Sequence, residues 1–168
     1  MKAERIEPTQ VPPRILTCDG ALIDDHWAAL APGDGAEDAQ PALLPLDAYL
    51  ARPQSAAHGV WLAPTDDPAA LDAHLASVPL VAVQFPKFAD GRGYSIAARL
   101  RRRGYRGDLR AIGEVLVDQL FMLKRVGFTS FALRADQSEA DARAALNRYS
   151  DAYQAAYAIG LPPYRRGR

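Results

Sequence analysis

Cysteine is almost missing: Cys18 is the single thiol in 168 residues. One such chain cannot form an intrachain disulfide or a CxxC redox pair, nor by itself supply a thiolate zinc or iron–sulfur site. Cys18 sits before Asp19-Gly20 and reads as a small apolar residue in a turn. Histidine is scarce as well. His26, His58 and His74 are scattered without metal-ligand spacing or an HExxH pattern, so the residues suggest no metal. No apolar run approaches the roughly 20 residues that a membrane span requires. The opening Met-Lys-Ala-Glu-Arg-Ile-Glu-Pro has no hydrophobic stretch behind its charges, unlike a secretory signal. The expectation is a cytoplasmic chain with no membrane partner.

What is present is ordinary for a globular domain: 49% apolar and 24% charged residues, which favours one domain over residues 1–168. Charge is distributed unevenly. Residues 1–80 hold twelve acids and four bases, whereas residues 81–168 hold eight acids and sixteen bases. Either the second half meets an anion or the halves attract each other in the fold.

Residues 1–58 are irregular. Ile15-Leu16-Thr17, the turn signal Cys18-Asp19-Gly20 and Ala21-Leu22-Ile23 suggest a small β-hairpin. Residues 31–40 read as a mobile polar loop, and a short helix fits residues 46–52. From residue 59 to residue 158 the rhythm becomes regular. Strands are expected at 60–63, 80–85, 108–114 and 130–133, each followed by an amphipathic stretch. Asp67-Pro68 opens the first helix. Gly104 and Gly127 should close the second and third, and Ser138 should cap a long fourth whose face carries Ala145, Tyr149 and Tyr153. Residues 159–168 form a basic tail. Four consecutive βα units predict an α/β fold with a half-barrel-like parallel sheet, an open doubly wound sheet being the alternative. Four strands would also leave an open flank, which makes a homodimer an expectation.

In such folds ligands bind at the C-terminal ends of the strands. The candidates there are Lys87, Asp90, Gly91, Arg92, Gly93 and Ser95 after the second strand, and Glu114 after the third. Asp118, Gln119 and Arg134 form a second tier. Period-two alternation places Arg110 and Glu114 on one face, where they pair or face a pocket. Asp90-Gly91-Arg92-Gly93 can be a turn. Equally, two glycines at a helix N-terminus expose N–H groups that hold an anion, with Lys87 and Arg92 adding charge. It lacks the third glycine of a dinucleotide fingerprint and the Gly-Lys-Ser/Thr of a P-loop, so it names no cofactor. Five arginines in residues 99–106 are better read as a helix C-terminus than as a nucleic-acid patch, because no aromatic residues interleave as a stacking platform.

One pattern runs through these positions: Phe85-Pro86-Lys87-Phe88-x-Asp90-Gly91-Arg92-Gly93-Tyr94-Ser95, then Leu100-Arg101, Gly104-Tyr105-x-Gly107-x-Leu109-Arg110-Ala111-x-Gly113-x-Val115-Leu116-x-Asp118-Gln119, and Arg125-x-Gly127-Phe128. Over roughly residues 40–155 it resembles a bacterial family of unknown function whose members carry the label of oxidoreductases involved in sulfite reduction. Tyr149, Ser150, Tyr153 and Gln154 resemble its C-terminal pattern. The resemblance implies a place in sulfate and sulfite assimilation, with sulfite reductase or another sulfur-assimilation protein as partner.

The expected function is therefore an accessory protein of sulfur assimilation with a small-anion site made of Lys87, Arg92, Arg110, Gly91, Gly93 and Ser95. In the enzymatic alternative Asp90 or Glu114 performs an acid–base step on a bound anion. In a further alternative the arginine-rich face docks a protein partner or RNA.

Overall fold

A computed structural model describes residues 14–30, 41–52, 57–149 and 155–157. The loop expected at 31–40 and the basic tail at 159–168 lie outside the described residues. Strands β1 (Arg14–Thr17) and β2 (Leu22–Asp24) form the expected hairpin, its turn closed by Gly20 at φ 90°. Then come β3 (Ala28–Ala29), β4 (Ala42–Pro45) and α1 (Leu46–Leu50). Next are β5 (His58–Leu62), a 3₁₀ segment Pro68–His74, β6 (Leu80–Phe85) and α2 (Arg92–Arg102). The chain continues through β7 (Asp108–Gly113), α3 (Leu120–Val126), β8 (Ser130–Phe131) and α4 (Glu139–Leu146).

The eight strands make one sheet in the order β2-β1-β8-β7-β6-β5-β4-β3. Every pair from β3 through β8 is parallel, and β1 joins β8 and β2 antiparallel. Because β4 to β8 lie side by side in chain order, the sheet has no switch point and is not doubly wound. Its curvature follows from one short connection. Only Asp25, His26 and Trp27 separate β2 from β3, the two outermost strands. Four residue steps reach at most about 14 Å, whereas the outer strands of a flat eight-stranded sheet would stand about 33 Å apart. The sheet must curl, and the half-barrel is the result. The flanks that the four expected strands would leave open are covered by β1 on β8 and by β4, itself followed by β3, on β5.

Both faces are apolar, which explains why Leu80–Phe85 is buried at every position. Val60, Val81, Val83, Leu109 and Phe131 meet Ile96, Leu100, Leu120 and Leu123 of the helices on the outer face. On the inner face Leu43, Trp61, Leu80, Ala82 and Ile112 pack together, with Trp27 and Ala29 laid over them. Among the described residues no helix is long and apolar enough to cross a membrane.

Helix ends follow local chemistry. Asp67 accepts the Ala69 N–H, Ser138 accepts the Asp141 N–H, and Gly104 and Gly127 adopt positive φ as helix stops. The stretch after Asp67-Pro68 is 3₁₀ rather than α. The last helix is shorter than expected. It ends at Leu146, where the Asn147 and Arg148 N–H groups bond three residues back and tighten the turn. Tyr149 lies beyond it and is exposed; Tyr153 lies outside the described residues.

Gly59 sits on the inner face between Leu43 and Leu80, and a Cβ there would lie 2.8 Å from both Leu43 Cδ2 and the Leu80 carbonyl oxygen. The carbonyl belongs to the neighbouring strand and cannot yield. Gly59→Ala is expected to cost about 1–3 kcal/mol, measured as a lower urea midpoint at unchanged slope.

Candidate functional site

At the C-terminal end of β6 the buried Phe85 ring lies under the start of α2, against Tyr94 and Phe128. A Cβ on Gly93 would come within 2.5 Å of that ring, so glycine lets the helix seat on the strand. Gly91 has open space around it. The Asp90 side chain occupies the start of α2. Its Oδ1 accepts the Arg92 backbone N–H at 3.1 Å and Nε at 3.0 Å, and its Oδ2 accepts Nη2 at 2.6 Å. The bond from the Arg92 side chain, followed by that from its backbone, holds the Asp90 carboxyl below its usual range. Lys87 and Ser95 are exposed beside this pair.

β7 delivers its residues differently from the alternation expected of it. Gly113 takes φ 93° with its α-carbon against the Phe85 carbonyl, and the Glu114 N–H then bonds that carbonyl at 2.8 Å. The pleat breaks there, so Glu114 and Arg110 do not share a surface. Glu114 Oε2 instead accepts Arg134 Nη1 at 2.7 Å. Arg134 follows β8, its N–H bonded to the Val115 carbonyl, and its Nε and Nη2 grip Asp136 at 2.6 and 2.7 Å. Gln119 is buried and fixes the loop, accepting the Leu116 N–H and donating to the Phe88 carbonyl, both at 2.8 Å. Asp118 remains exposed.

Arg110 stands apart from this edge. It lies midway along β7, between Ala82 and Ser130 in register, and its side chain is 3% exposed. It donates to Asp25 at 2.7 Å, to Ser130 Oγ at 3.2 Å and to Asp108 at 3.4 Å. A guanidinium spent in this way offers nothing to a ligand at the strand ends. The assembled edge is therefore Lys87 with Asp90–Arg92, next to Glu114–Arg134–Asp136. Sequence reasoning missed Asp25, which no local signal connects to a residue 85 positions away.

The arginine run does not form one face. Arg99 and Arg103 pair with Asp67 and Asp72, and Arg106 donates to the Tyr157 hydroxyl. Arg101 is buried and bonds the carbonyls of Tyr105, Gly107 and Gly127. Two of these pairs, together with Arg110–Asp25, show how the basic second half and the acidic first half meet: Arg99, Arg103 and Arg110 all take partners from the first half.

A family model described as a bacterial protein of unknown function, DUF934, matches residues 59–164. No curated protein and no solved structure matches the chain.

Asp136, gripped by Arg134 and helped by Gln137, is held down at about 2 against an ordinary 3.8. Its folded value is depressed, so the pair contributes fully above the unfolded value and is lost as pH falls through the folded one. A carboxyl NMR titration should show Asp136 with a midpoint near 2, and Arg134→Gln should return it toward 3.8. An unshifted Asp136 would mean that the grip does not persist in solution.

Proposed function

We propose that this chain, which belongs to the bacterial family of unknown function DUF934 by a match over residues 59–164, is a cytoplasmic accessory protein of assimilatory sulfate and sulfite reduction that holds a small oxyanion at the C-terminal edge of its sheet. The sulfur pathway rests on the resemblance carried by residues 85–95, 100–119 and 125–128. The ligand class rests on what the edge offers. Lys87 is exposed there, the Arg92 side chain is 56% exposed, and Arg134 stands after β8, with β7 between the two strand ends. Pairing does not exhaust these guanidinium groups. Each has five N–H donors; Arg92 reaches Asp90 through Nε and Nη2, which leaves Nη1 free of that carboxylate.

The observation that carries the reading is that both candidate acid–base residues, Asp90 and Glu114, are already paired with arginine. Asp90, its carboxyl lowered by the bond from Arg92, makes a poor general acid and a weak base, and Glu114 is engaged by Arg134 Nη1 at 2.7 Å. That favours binding over an acid–base step by Asp90 or Glu114. Asp90 then acts as an internal competitor, occupying the helix N-terminus until an oxyanion replaces it.

Asp90→Asn separates the two readings. It removes the competing charge and should tighten sulfite or sulfate binding, seen by calorimetry and as a larger thermal shift, while Arg92→Gln abolishes both. A ligand at a hundred times its Kd adds about 2.7 kcal/mol of stability, well within reach of a melting experiment. Sulfite-dependent growth should survive Asp90→Asn. Lost growth with unchanged folding, or a shift produced by a flavin or nicotinamide and not by oxyanions, would favour the oxidoreductase reading.

A further inference from the structure

A concavity lined by neither Lys87 nor Arg92, though it shares Arg134 with the edge, opens between the β1–β2 hairpin, the segment after β8 and the start of α4. Its volume is about 260 Å³, and Leu16, Leu22 and Leu133 line its apolar part. Leu16 is 1% and Leu133 9% exposed, so these residues form a fixed floor belonging to the outer core. Arg14, Arg134 and Glu139 line it as well. Mostly apolar walls with a few convergent charged groups are the usual make-up of a small-molecule site, and drug-sized ligands occupy pockets of roughly 300–1,000 Å³. This cleft suits something slightly smaller.

From this arrangement we infer that the cleft binds a small organic anion, an aliphatic carboxylate or sulfonate, with its hydrocarbon body on the leucines and its head between Arg14 and Arg134. The two parts of the lining exclude simpler occupants. An inorganic oxyanion would leave the leucine floor wet, and a neutral hydrocarbon would make no use of the N–H donors that Arg14 and Arg134 keep beyond their pairs with Glu139, Glu114 and Asp136. Glu139 is the one lining group that opposes an anion. It meets Arg14 only through Nη1, at 3.2 and 3.5 Å, and both side chains are half exposed. Such solvated pairs hold little, so a ligand carboxylate can replace Glu139 on Arg14. Arg134 stays fixed by Glu114 and Asp136, with an N–H on Nη1 and one on Nη2 left over after those bonds. The cleft is thus built around one anchored cation and one whose counter-ion can be displaced. The inference does not depend on a role in sulfur assimilation.

The test is methyl and amide NMR on the full chain with isovalerate, isovaleramide and inorganic sulfate. Isovalerate should shift the Leu22 and Leu133 methyls in a saturable way, and isovaleramide should bind at least about tenfold more weakly because a charge-assisted bond is lost. Arg14→Gln should weaken isovalerate binding, Leu22→Asp should abolish it, and Glu139→Gln should tighten it, each variant retaining the parent amide spectrum elsewhere. Leucine methyls unmoved by isovalerate, equal binding of the amide, or weaker binding in Glu139→Gln would each overturn the inference. Sulfate should move the Gly91 and Arg92 amides and leave the leucine methyls unchanged. That pattern separates failure of this cleft from failure of the oxyanion edge, and sulfate acting on the leucine methyls would contradict the assignment of an organic ligand.

Discussion

The Arg110 guanidinium and the Asp25 carboxylate meet at 2.7 Å on the inner face of the sheet, both almost wholly buried. Asp25 belongs to the three-residue link between the two outermost strands, and Arg110 to the middle of β7. The pair therefore fastens the link across the concavity that the link itself requires. Ser130 and Asp108 complete the environment of Arg110, and the Trp27 N–H adds a bond to Asp25. Burial of an ion pair costs desolvation that its attraction only partly returns, and one Asp25 oxygen has no partner among the described residues. Such a pair is weak evidence for stability but good evidence for a specified arrangement. Its consequence is geometric: the outer strands β2 and β3 are drawn round the inner face, while β6, β7 and β8, as parallel neighbours, bring their C-terminal ends to one edge.

The edge that results is poised by competition between charges. Arg92 is paired with Asp90, and Arg134 with Glu114 and Asp136. The same logic recurs in the cleft, where Glu139 tempers Arg14. In the proposed reading, carboxylates supplied by the chain are what a ligand would displace from each cation. Gln119 and Gly113 act on this edge indirectly. Gln119 ties the Phe88 carbonyl to the turn after β7, and Gly113 turns Glu114 away from the interior toward Arg134.

Much of this was legible in the amino-acid order. The run Leu80–Phe85 announced a strand covered on both faces, Asp67 and Ser138 announced helix starts, and Gly104 and Gly127 announced helix ends, because each depends on neighbours within a few residues. β3 and β4 were not legible: two- and four-residue strands carry too little periodicity to tell from loop or helix. The grouping of Arg110 with Glu114 assumed an unbroken pleat, and Gly113 breaks it through a close approach to Phe85 that only the folded sheet creates. Asp25 was invisible for the same reason, since its significance lies in a partner supplied by the topology. The positions of Lys87, Asp90, Arg92, Glu114 and Arg134 at the strand ends followed from the fold class, whereas their mutual pairing did not.

If the buried pair is what holds the curled edges together, loosening it should act first on the strands beside the link. Native-state hydrogen exchange on Asp25→Asn tests this directly. The Ala28 and Leu30 amides, bonded to the Pro41 and Leu43 carbonyls, should lose protection while the central amides of β6 and β7 keep theirs. Unchanged protection at Ala28 and Leu30, or an equal loss throughout the sheet, would contradict the account.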